Sequence, residues 1–240
     1  VYGEFGYRLR GRIPIRDIKN TWIPVRGSDG NYEWEREIPW DEMPQVRNPE
    51  VGYAVTCNQK ITTDDYKYHI NHYFGNGWRA ERIVNRIKEI DKGDMDISKM
   101  GAIHADSISI PAIWIKDKIL SLNLENSIEE DLQKLLVHWN GDMDKNRVEP
   151  TIIAETYMQF SKIISDSIFV KLSDEALLGK SRGAPGHFGE IMGHVLENMN
   201  KDKQDSNIGI FNWDELIKKS FIEAIISLKS RLGKDVNKWI

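Results

Sequence analysis

The hydrophobic pattern of this chain changes its period about a third of the way along. Residues 5–15, 32–38 and 51–57 are rich in β-branched and aromatic side chains and lie between Gly, Pro and Asn turn signals, which predicts short strands. Beyond them the apolar positions recur at the three-to-four spacing of amphipathic helices. Strands that precede helices are typical of α+β proteins. The pattern therefore predicts a strand-rich part, residues 1–78, and a mainly helical part, residues 79–240, within one structural unit.

Helix boundaries can be placed from local start and stop signals. One helix has an apolar face, one follows a capping box that starts at Ser127, one has a proline near its first turn, and the last ends at a glycine. These signals predict helices at residues 79–90, from Ser127 onwards, at residues 151–171 and from near Trp213 to Gly233.

Composition narrows the range of partners. The chain has 240 residues, with 33 Lys and Arg against 37 Asp and Glu, for a net charge of -4. This balance gives no electrostatic reason to expect a nucleic acid or an anionic membrane as partner. No apolar run approaches the roughly 20 residues of a membrane span. The single cysteine, Cys57, excludes an internal disulfide framework and a cysteine-based metal site.

Six short motifs follow one another along the chain. They are Gly-Arg-Ile-Pro-Ile-Arg at residues 11–16, Gly-Ser-Asp-Gly-Asn-Tyr-Glu-Trp at 27–34, Ile-Pro-Trp-Asp-Glu-Met-Pro at 38–44, Asn-Pro-Glu-Val-Gly-Tyr at 48–53, Tyr-Lys-Tyr at 66–68 and Arg-Ala-Glu-Arg-Ile at 79–83. In this order and spacing they resemble the penicillin acylase (penicillin amidase) family of N-terminal-nucleophile amidohydrolases. The resemblance covers nearly the whole chain, and it implies part of a four-layer αββα sandwich with helices outside a pair of antiparallel sheets.

Asn58 is the first candidate catalytic residue. It follows the predicted strand at 51–57, and a strand end is a rigid mount from which an amide N–H can be aimed at a developing oxyanion. In the family, the first Asn of a pair at the end of this strand donates that hydrogen bond, and the resemblance carries the role to Asn58. The second Asn of the pair is Gln59 here. The alternative is an Asn that only closes a turn.

Arg82 is the second candidate catalytic residue. The resemblance places it at a family position near the catalytic centre, and a planar, permanently charged guanidinium suits the holding of a buried amide or carboxylate. The alternative is a solvated helix arginine that pairs with Glu81 or Asp91. Cys57 lies in an apolar stretch beside Val55, where a thiol is usually inert packing rather than a nucleophile.

The resemblance also implies a reaction. Family members are zymogens in which autoproteolysis frees an N-terminal Ser, which attacks an N-acyl (carboxamide) bond such as a penicillin side-chain amide and forms an acyl-enzyme. This chain begins at Val1, so the resemblance makes it an internal fragment of the large subunit. Its expected partners are the small subunit, the rest of the large subunit and a small N-acylated substrate.

No cofactor is implied for catalysis. Some family members bind calcium near the region of Asp64 and Asp65, so the resemblance allows for a calcium ion in the complete enzyme without assigning it a ligand here. Two other interpretations of the chain stay open at this point. One is a non-catalytic binding domain on the same scaffold, and the other is an unrelated α+β interaction domain that carries the motifs by chance.

A first prediction concerns the isolated chain. Residues 1–240 alone should not hydrolyse a chromogenic N-acyl substrate, because the resemblance places the nucleophile outside them. Release of the coloured amine measures the activity, with the complete precursor as the positive control. Amidase activity in the highly purified chain would contradict this prediction.

Overall fold

The computed structural model describes residues 3–16, 24–168, 186–206 and 209–240. The chain divides into two compact units, Val1–Glu89 and Ile90–Ile240. The division lies beyond helix α1, Trp78–Lys88, which the sequence had assigned to the helical part. The first unit thus holds the strands and one helix, and the second unit is helical.

Four short strands form two antiparallel ladders in the described part of the first unit. Strand β1, Gly6–Arg8, pairs with β4, Gln45–Arg47, so that Tyr7 lies opposite Val46. Strand β2, Pro14–Ile15, pairs with β3, Arg36–Glu37. Four further main-chain hydrogen bonds extend these ladders: Leu9 N to Pro44 O, Asn48 N to Phe5 O and Ile38 N to Ile13 O, each 2.9 Å, and Glu35 N to Ile15 O at 3.1 Å.

The predicted strand at 5–15 is therefore two short strands. Gly11 separates them and has a φ of 128°, in a region that glycine adopts readily and other residues rarely. This backbone interrupts the ladder, so the residues before it pair with β4 and those after it pair with β3.

The predicted strand at 51–57 is wrong, since these residues form no ladder with any described part of the chain. Their side chains do alternate between half-buried and exposed, with Tyr53, Val55 and Cys57 on the covered side. An alternation of period two shows that the chain is extended and that one of its sides is covered. An extended segment can meet both conditions without a hydrogen-bonded neighbouring strand.

The second unit contains six α-helices within the described residues, followed by a short 3₁₀ helix. They are α2, Ile97–His104; α3, Ile110–Leu120; α4, Ser127–Leu136; α5, Val148–Ile168; α6, Gly186–Asn200; α7, Trp213–Leu232; and the 3₁₀ helix, Val236–Lys238. Helices α1, α4, α5 and α7 confirm the four predicted helices, although residues 169–171 of the predicted third helix lie outside the described residues. The strand-first, helix-later order of an α+β protein is observed.

The cap of α4 differs from the prediction by one residue. Asn126, rather than Ser127, has the extended N-cap backbone, and its side chain accepts a hydrogen bond from the Ile128 N–H. An Asn in this position satisfies one of the first free N–H groups, so Ser127 becomes the first helical residue. At the far end of the unit, Gly233 ends α7 with a φ of 89°, as predicted from the sequence.

The core of the second unit lies mainly between α5 and α7. Fully buried apolar side chains of these two helices are Ile152, Ile153, Phe160, Ile164, Ile217, Phe221, Ala224 and Leu228. Three tryptophans are also buried, and each donates its indole N–H to a carbonyl: Trp139 to Asp142 and Trp239 to Gly233, both at 2.9 Å, and Trp213 to Lys203 at 3.0 Å. Among the described residues, no helix has both the length and the apolar content to span a membrane.

Glu42 connects the loop that contains residues 66–68 to the segment between β3 and β4. Glu42 ends a short 3₁₀ helix, Trp40–Glu42, and its carboxylate accepts a hydrogen bond from the Tyr68 hydroxyl at 2.6 Å and pairs with the Lys67 ammonium. Its main-chain carbonyl accepts a hydrogen bond from the Tyr66 hydroxyl at 3.0 Å. All three residues of the Tyr-Lys-Tyr motif therefore contact one glutamate.

A second prediction follows from this ionic contact. Hydrogen bonds from Lys67 and Tyr68 lower the pKa of the Glu42 carboxyl below its ordinary value of 4.5. A lowered folded-state pKa stabilises the fold above the ordinary value, and this stabilisation is lost as the pH falls through the folded-state value. Glu42→Gln should therefore lower the melting temperature at neutral pH, and the difference from wild type should shrink towards about pH 3.

Thermal unfolding of the two proteins between about pH 3 and pH 7 checks this. Glu50→Gln, at an exposed position of the same unit, is the matched control and should follow the wild type throughout. A constant difference between Glu42→Gln and wild type across this range would contradict the assignment.

Candidate functional site

Asn58 lies exposed on the wall of a cavity of about 670 Å³ in the first unit. The other side chains that line this cavity include Tyr7, Leu9, Ile61, Ile70, Asn71, Tyr73, Phe74 and Arg79. Apolar and aromatic side chains share the wall with polar groups in comparable proportions, so the cavity can accept a small molecule that has both apolar and polar parts. The Asn58 side chain has open space before it rather than packed protein.

A tight turn, rather than a strand end, presents the Asn58 side chain. Asn58 has a φ of 68°, in the left-handed region that Asn tolerates better than most residues. The turn is closed by Gln59, whose side-chain N–H donates to the Val55 carbonyl at 3.0 Å and whose side-chain oxygen accepts from the Cys57 N–H at 2.5 Å. The predicted rigid mount is thus supplied by hydrogen bonds within residues 55–59.

Gly75 holds the other side of Asn58. Its N–H donates to the Asn58 carbonyl at 2.6 Å. A Cβ at position 75 would lie 3.3 Å from both the Cβ and the carbonyl oxygen of Asn58, which is closer than most side chains allow. A side chain at position 75 would therefore push the Asn58 segment back by a few tenths of an ångström.

Arg79 fixes the orientation of the Asn58 amide. Its Nη2 donates to the Asn58 Oδ1 at 2.6 Å and to the Cys57 carbonyl at 2.8 Å. Because Oδ1 and Nδ2 point away from each other, the Nδ2 group is turned from the guanidinium. No described residue accepts a hydrogen bond from that Nδ2, so its N–H groups can be donated to an oxygen in the cavity.

Arg79 is the residue in contact with the Asn58 amide that the sequence analysis did not single out. It lies in the first turn of α1, whereas the predicted residue, Arg82, lies one turn further along the same helix. Arg82 is half-buried and is not one of the described residues that line the cavity. Residues three apart lie on the same face of a helix. The sequence of the motif at 79–83 therefore does not show which of the two arginines points towards Asn58.

Cys57 contributes its main chain to the site. Its carbonyl accepts from Arg79 and its N–H donates to Gln59, while its half-buried side chain lines the cavity. These hydrogen bonds make Cys57 part of the turn that carries Asn58.

The described residues contain no group of three or more His, Cys, Asp or Glu side chains that could hold a metal ion. Asp64 pairs with the Lys60 ammonium at 2.5 Å, and hydrogen bonds, first from Thr63, lower the pKa of the Asp65 carboxyl. Neither carboxylate belongs to a cluster of oxygen ligands of the kind calcium prefers. The carboxylates in the described part of the chain therefore do not fit a calcium site.

Comparison with curated proteins gives several relatives. The chain is 28% identical over 236 residues to penicillin acylase 2 proenzyme from Pseudomonas sp. (strain SE83), a match that covers 96% of this chain and 30% of that protein. It is 22% identical over 133 residues to an acyl-homoserine lactone acylase, QuiP, from Pseudomonas fluorescens, covering 55% of this chain and 16% of that protein. The chain therefore spans less than a third of the length of these relatives.

Comparison with solved structures confirms the fold class. The thermostable penicillin G acylase from Alcaligenes faecalis matches 99% of this chain with a TM-score of 0.74 and 17% sequence identity, and the match covers 47% of that chain. The chain shares the α+β fold of this penicillin G acylase. The family model described as penicillin amidase matches residues 1–240. The chain thus belongs to the penicillin amidase family.

Proposed function

We propose that this chain forms part of an amidohydrolase that cleaves N-acyl bonds, with Asn58 as a donor to the oxyanion. The relatives bear the names of acylases, and an acylase splits a carboxamide into an acid and an amine. Membership of the family supports hydrolysis of an N-acyl bond as the reaction class. The cavity at Asn58 is the site in this chain at which the oxyanion of that reaction could be bound.

One observation carries the proposal. The amide of Asn58 has its oxygen bound to Arg79 and its nitrogen free of any described acceptor, on the wall of a cavity large enough for a small substrate. A side chain that only closes a turn would use its amide to bond the nearby main chain. In this turn Gln59 makes those bonds instead, and the Asn58 side chain is left for another partner.

The proposed chemistry divides between this chain and the rest of its precursor. A Ser at the start of the processed large subunit attacks the carbonyl carbon of the substrate, with its own α-amino group as the base. The carbonyl electron pair moves to the oxygen, which becomes an anion. Asn58 Nδ2–H donates a hydrogen bond to this anion, so the donor is already oriented when the charge forms. Collapse of the intermediate expels the amine, and water then releases the acid from the acyl-enzyme.

The apolar side chains of the cavity favour a substrate with an apolar group beside the scissile bond. Leu9, Ile70 and Phe74 offer such a surface close to Asn58. A small N-acylated substrate, such as a penicillin-type side-chain amide, has this character. The proposed partners are the remaining parts of the same precursor, as the proenzyme name of one relative suggests.

A third prediction tests the role of the Asn58 amide in the complete, processed enzyme. Asn58→Asp keeps the size of the side chain and its bond to Arg79 but replaces the donor by an acceptor. We expect kcat to fall by about 100-fold to 1,000-fold, with little change in KM, because the lost bond exists only in the transition state. Steady-state kinetics on an N-acyl substrate measures both constants.

Asn85→Asp, the same change at an exposed position of α1, is the matched control and should match wild type. Asn58→Gly accepts the left-handed backbone and deletes the amide, so it should also lose kcat. Activity within about threefold of wild type in both Asn58 variants would overturn the oxyanion role. A complete wild-type protein that binds N-acylated compounds without hydrolysing them would instead identify a non-catalytic binding domain.

A fourth prediction separates the two arginines of α1. Arg79→Ala removes the charged donor that orients the Asn58 amide, and a hydrogen bond of this kind is worth about 1.5–3 kcal/mol, or about 10-fold to 100-fold in kcat. Arg82→Ala, in the same helix, is the comparison that tests the role predicted from the sequence. A larger loss of kcat in Arg82→Ala than in Arg79→Ala would show that the motif was assigned correctly from the sequence and that the Arg79 contact is secondary.

A further inference from the structure

Gln59 makes two hydrogen bonds with one side-chain amide. Its Nε2 donates to the Val55 carbonyl at 3.0 Å, and its Oε1 accepts from the Cys57 N–H at 2.5 Å. Both bonds reach backwards along the chain, so the half-buried side chain folds over the residues that lead to Asn58. The side chain therefore spans the turn from one end to the other.

The main chain on both sides of Asn58 is held by three different groups. Gln59 accepts from the Cys57 N–H, Arg79 donates to the Cys57 carbonyl, and Gly75 donates to the Asn58 carbonyl. A non-glycine residue at a φ of 68° is in a sparsely populated conformation that persists only when its surroundings determine it. The bonds of Gln59 are the ones that hold the chain just before that residue.

We propose that Gln59 is a positioning residue for the Asn58 amide, an inference that rests on the proposed function. Its two bonds hold the left-handed turn, so the Asn58 Nδ2–H is already directed into the cavity before the substrate oxygen becomes charged. Gln59 also lines the cavity, but each end of its amide is engaged by the main chain, so it acts through the backbone of Asn58 rather than on the substrate.

The Gln59 side chain is long enough to reach both main-chain groups that it binds. The family resemblance places an Asn at this position, and an Asn side chain is shorter by one methylene group. A glutamine can reach both Val55 and Cys57 from position 59, as observed. The substitution relative to the family is therefore accompanied by a particular way of closing the turn.

The test replaces only the donor of this side chain, in the complete processed enzyme. Gln59→Glu keeps the acceptor for the Cys57 N–H but sets a carboxylate oxygen against the Val55 carbonyl. We expect kcat at neutral pH to fall about tenfold while KM stays within about twofold, since the substrate still binds but its oxyanion is stabilised less well. Protonation of the introduced carboxylate restores an O–H donor, so the activity of the variant relative to wild type should rise as the pH is lowered.

Gln204→Glu is the matched control. Gln204, in the second unit, also bonds the main chain through both ends of its amide, to the Phe211 carbonyl at 2.7 Å and the Phe211 N–H at 2.8 Å. The same chemical change is thus made in a similar contact that lines no part of the Asn58 cavity. Its kcat relative to wild type should be near one and independent of pH.

Hydrogen exchange gives a second measurement that does not depend on turnover. In Gln59→Met, which has a similar size and cannot make either bond, exchange in the peptide that covers residues 55–59 should be faster while the helices of the second unit exchange as in wild type. Faster exchange throughout the protein would overturn the inference, because it would make Gln59 a general stabiliser. Unchanged exchange at 55–59 would overturn it as well.

The kinetic outcomes separate this inference from the proposed function. A wild-type enzyme without amidase activity, or one that keeps its activity in both Asn58→Asp and Asn58→Gly, would overturn the proposed function. An enzyme whose kcat depends on Asn58 but is the same in Gln59→Glu and wild type would overturn only the role of Gln59. A loss in Gln59→Glu that appears in KM, or that does not vary with pH, would also overturn it.

Discussion

The geometry of the candidate site depends on the contact between the Arg79 guanidinium and the Asn58 amide oxygen. An amide has two ends of similar size, and packing alone distinguishes them poorly. A cation at 2.6 Å distinguishes them well, because rotation by half a turn would place the Asn58 amino group against the positive charge. The same nitrogen of Arg79 also binds the Cys57 carbonyl, so side chain and backbone are fixed together. Electrostatics thus determines which end of the amide is available to a substrate.

This arrangement departs from what the helix alone would prefer. The N-terminus of α1 begins after Gly77, which offers no capping side chain, and a cation in the first turn is unfavourable beside the positive end of the helix dipole. Arg79 is nevertheless directed to carbonyl oxygens outside the helix. Local rules of stability are commonly broken at functional sites, where another contact compensates for the loss. The first turn of α1 has no capping side chain and carries a cation, so its sequence is not the one that would best stabilise the helix.

Local chemistry explains which parts of the fold and the site could be predicted from the sequence. Helices such as α4 and α7 have a nearby cap or stop signal and an apolar face, so a short window of sequence is enough to predict them. The predicted start of α4 is in error by one residue, because Asn126 rather than Ser127 is its N-cap. The resemblance singled out Asn58 at the end of an alternating run, and the structure places it on the wall of a cavity. That Arg79 contacts the Asn58 amide could not be predicted, since it depends on where the turn at 55–59 lies relative to α1. The absence of a ladder at 51–57 has the same origin, because pairing is a property of distant segments.

The second unit contrasts with the first in how it uses its polar groups. Its buried hydroxyls at Thr156 and Ser220 donate to carbonyls four residues earlier in their own helices, at 2.8 and 2.7 Å. Such hydrogen bonds satisfy a buried hydroxyl within its own helix, so the hydroxyl donates its proton to no group outside that helix. The residues that line the Asn58 cavity, by contrast, all fall between positions 7 and 79, within the first unit. Substitutions in the α5–α7 core should therefore act on the chain through its stability, whereas we propose that those of the residues that hold Asn58 act through the orientation of one amide.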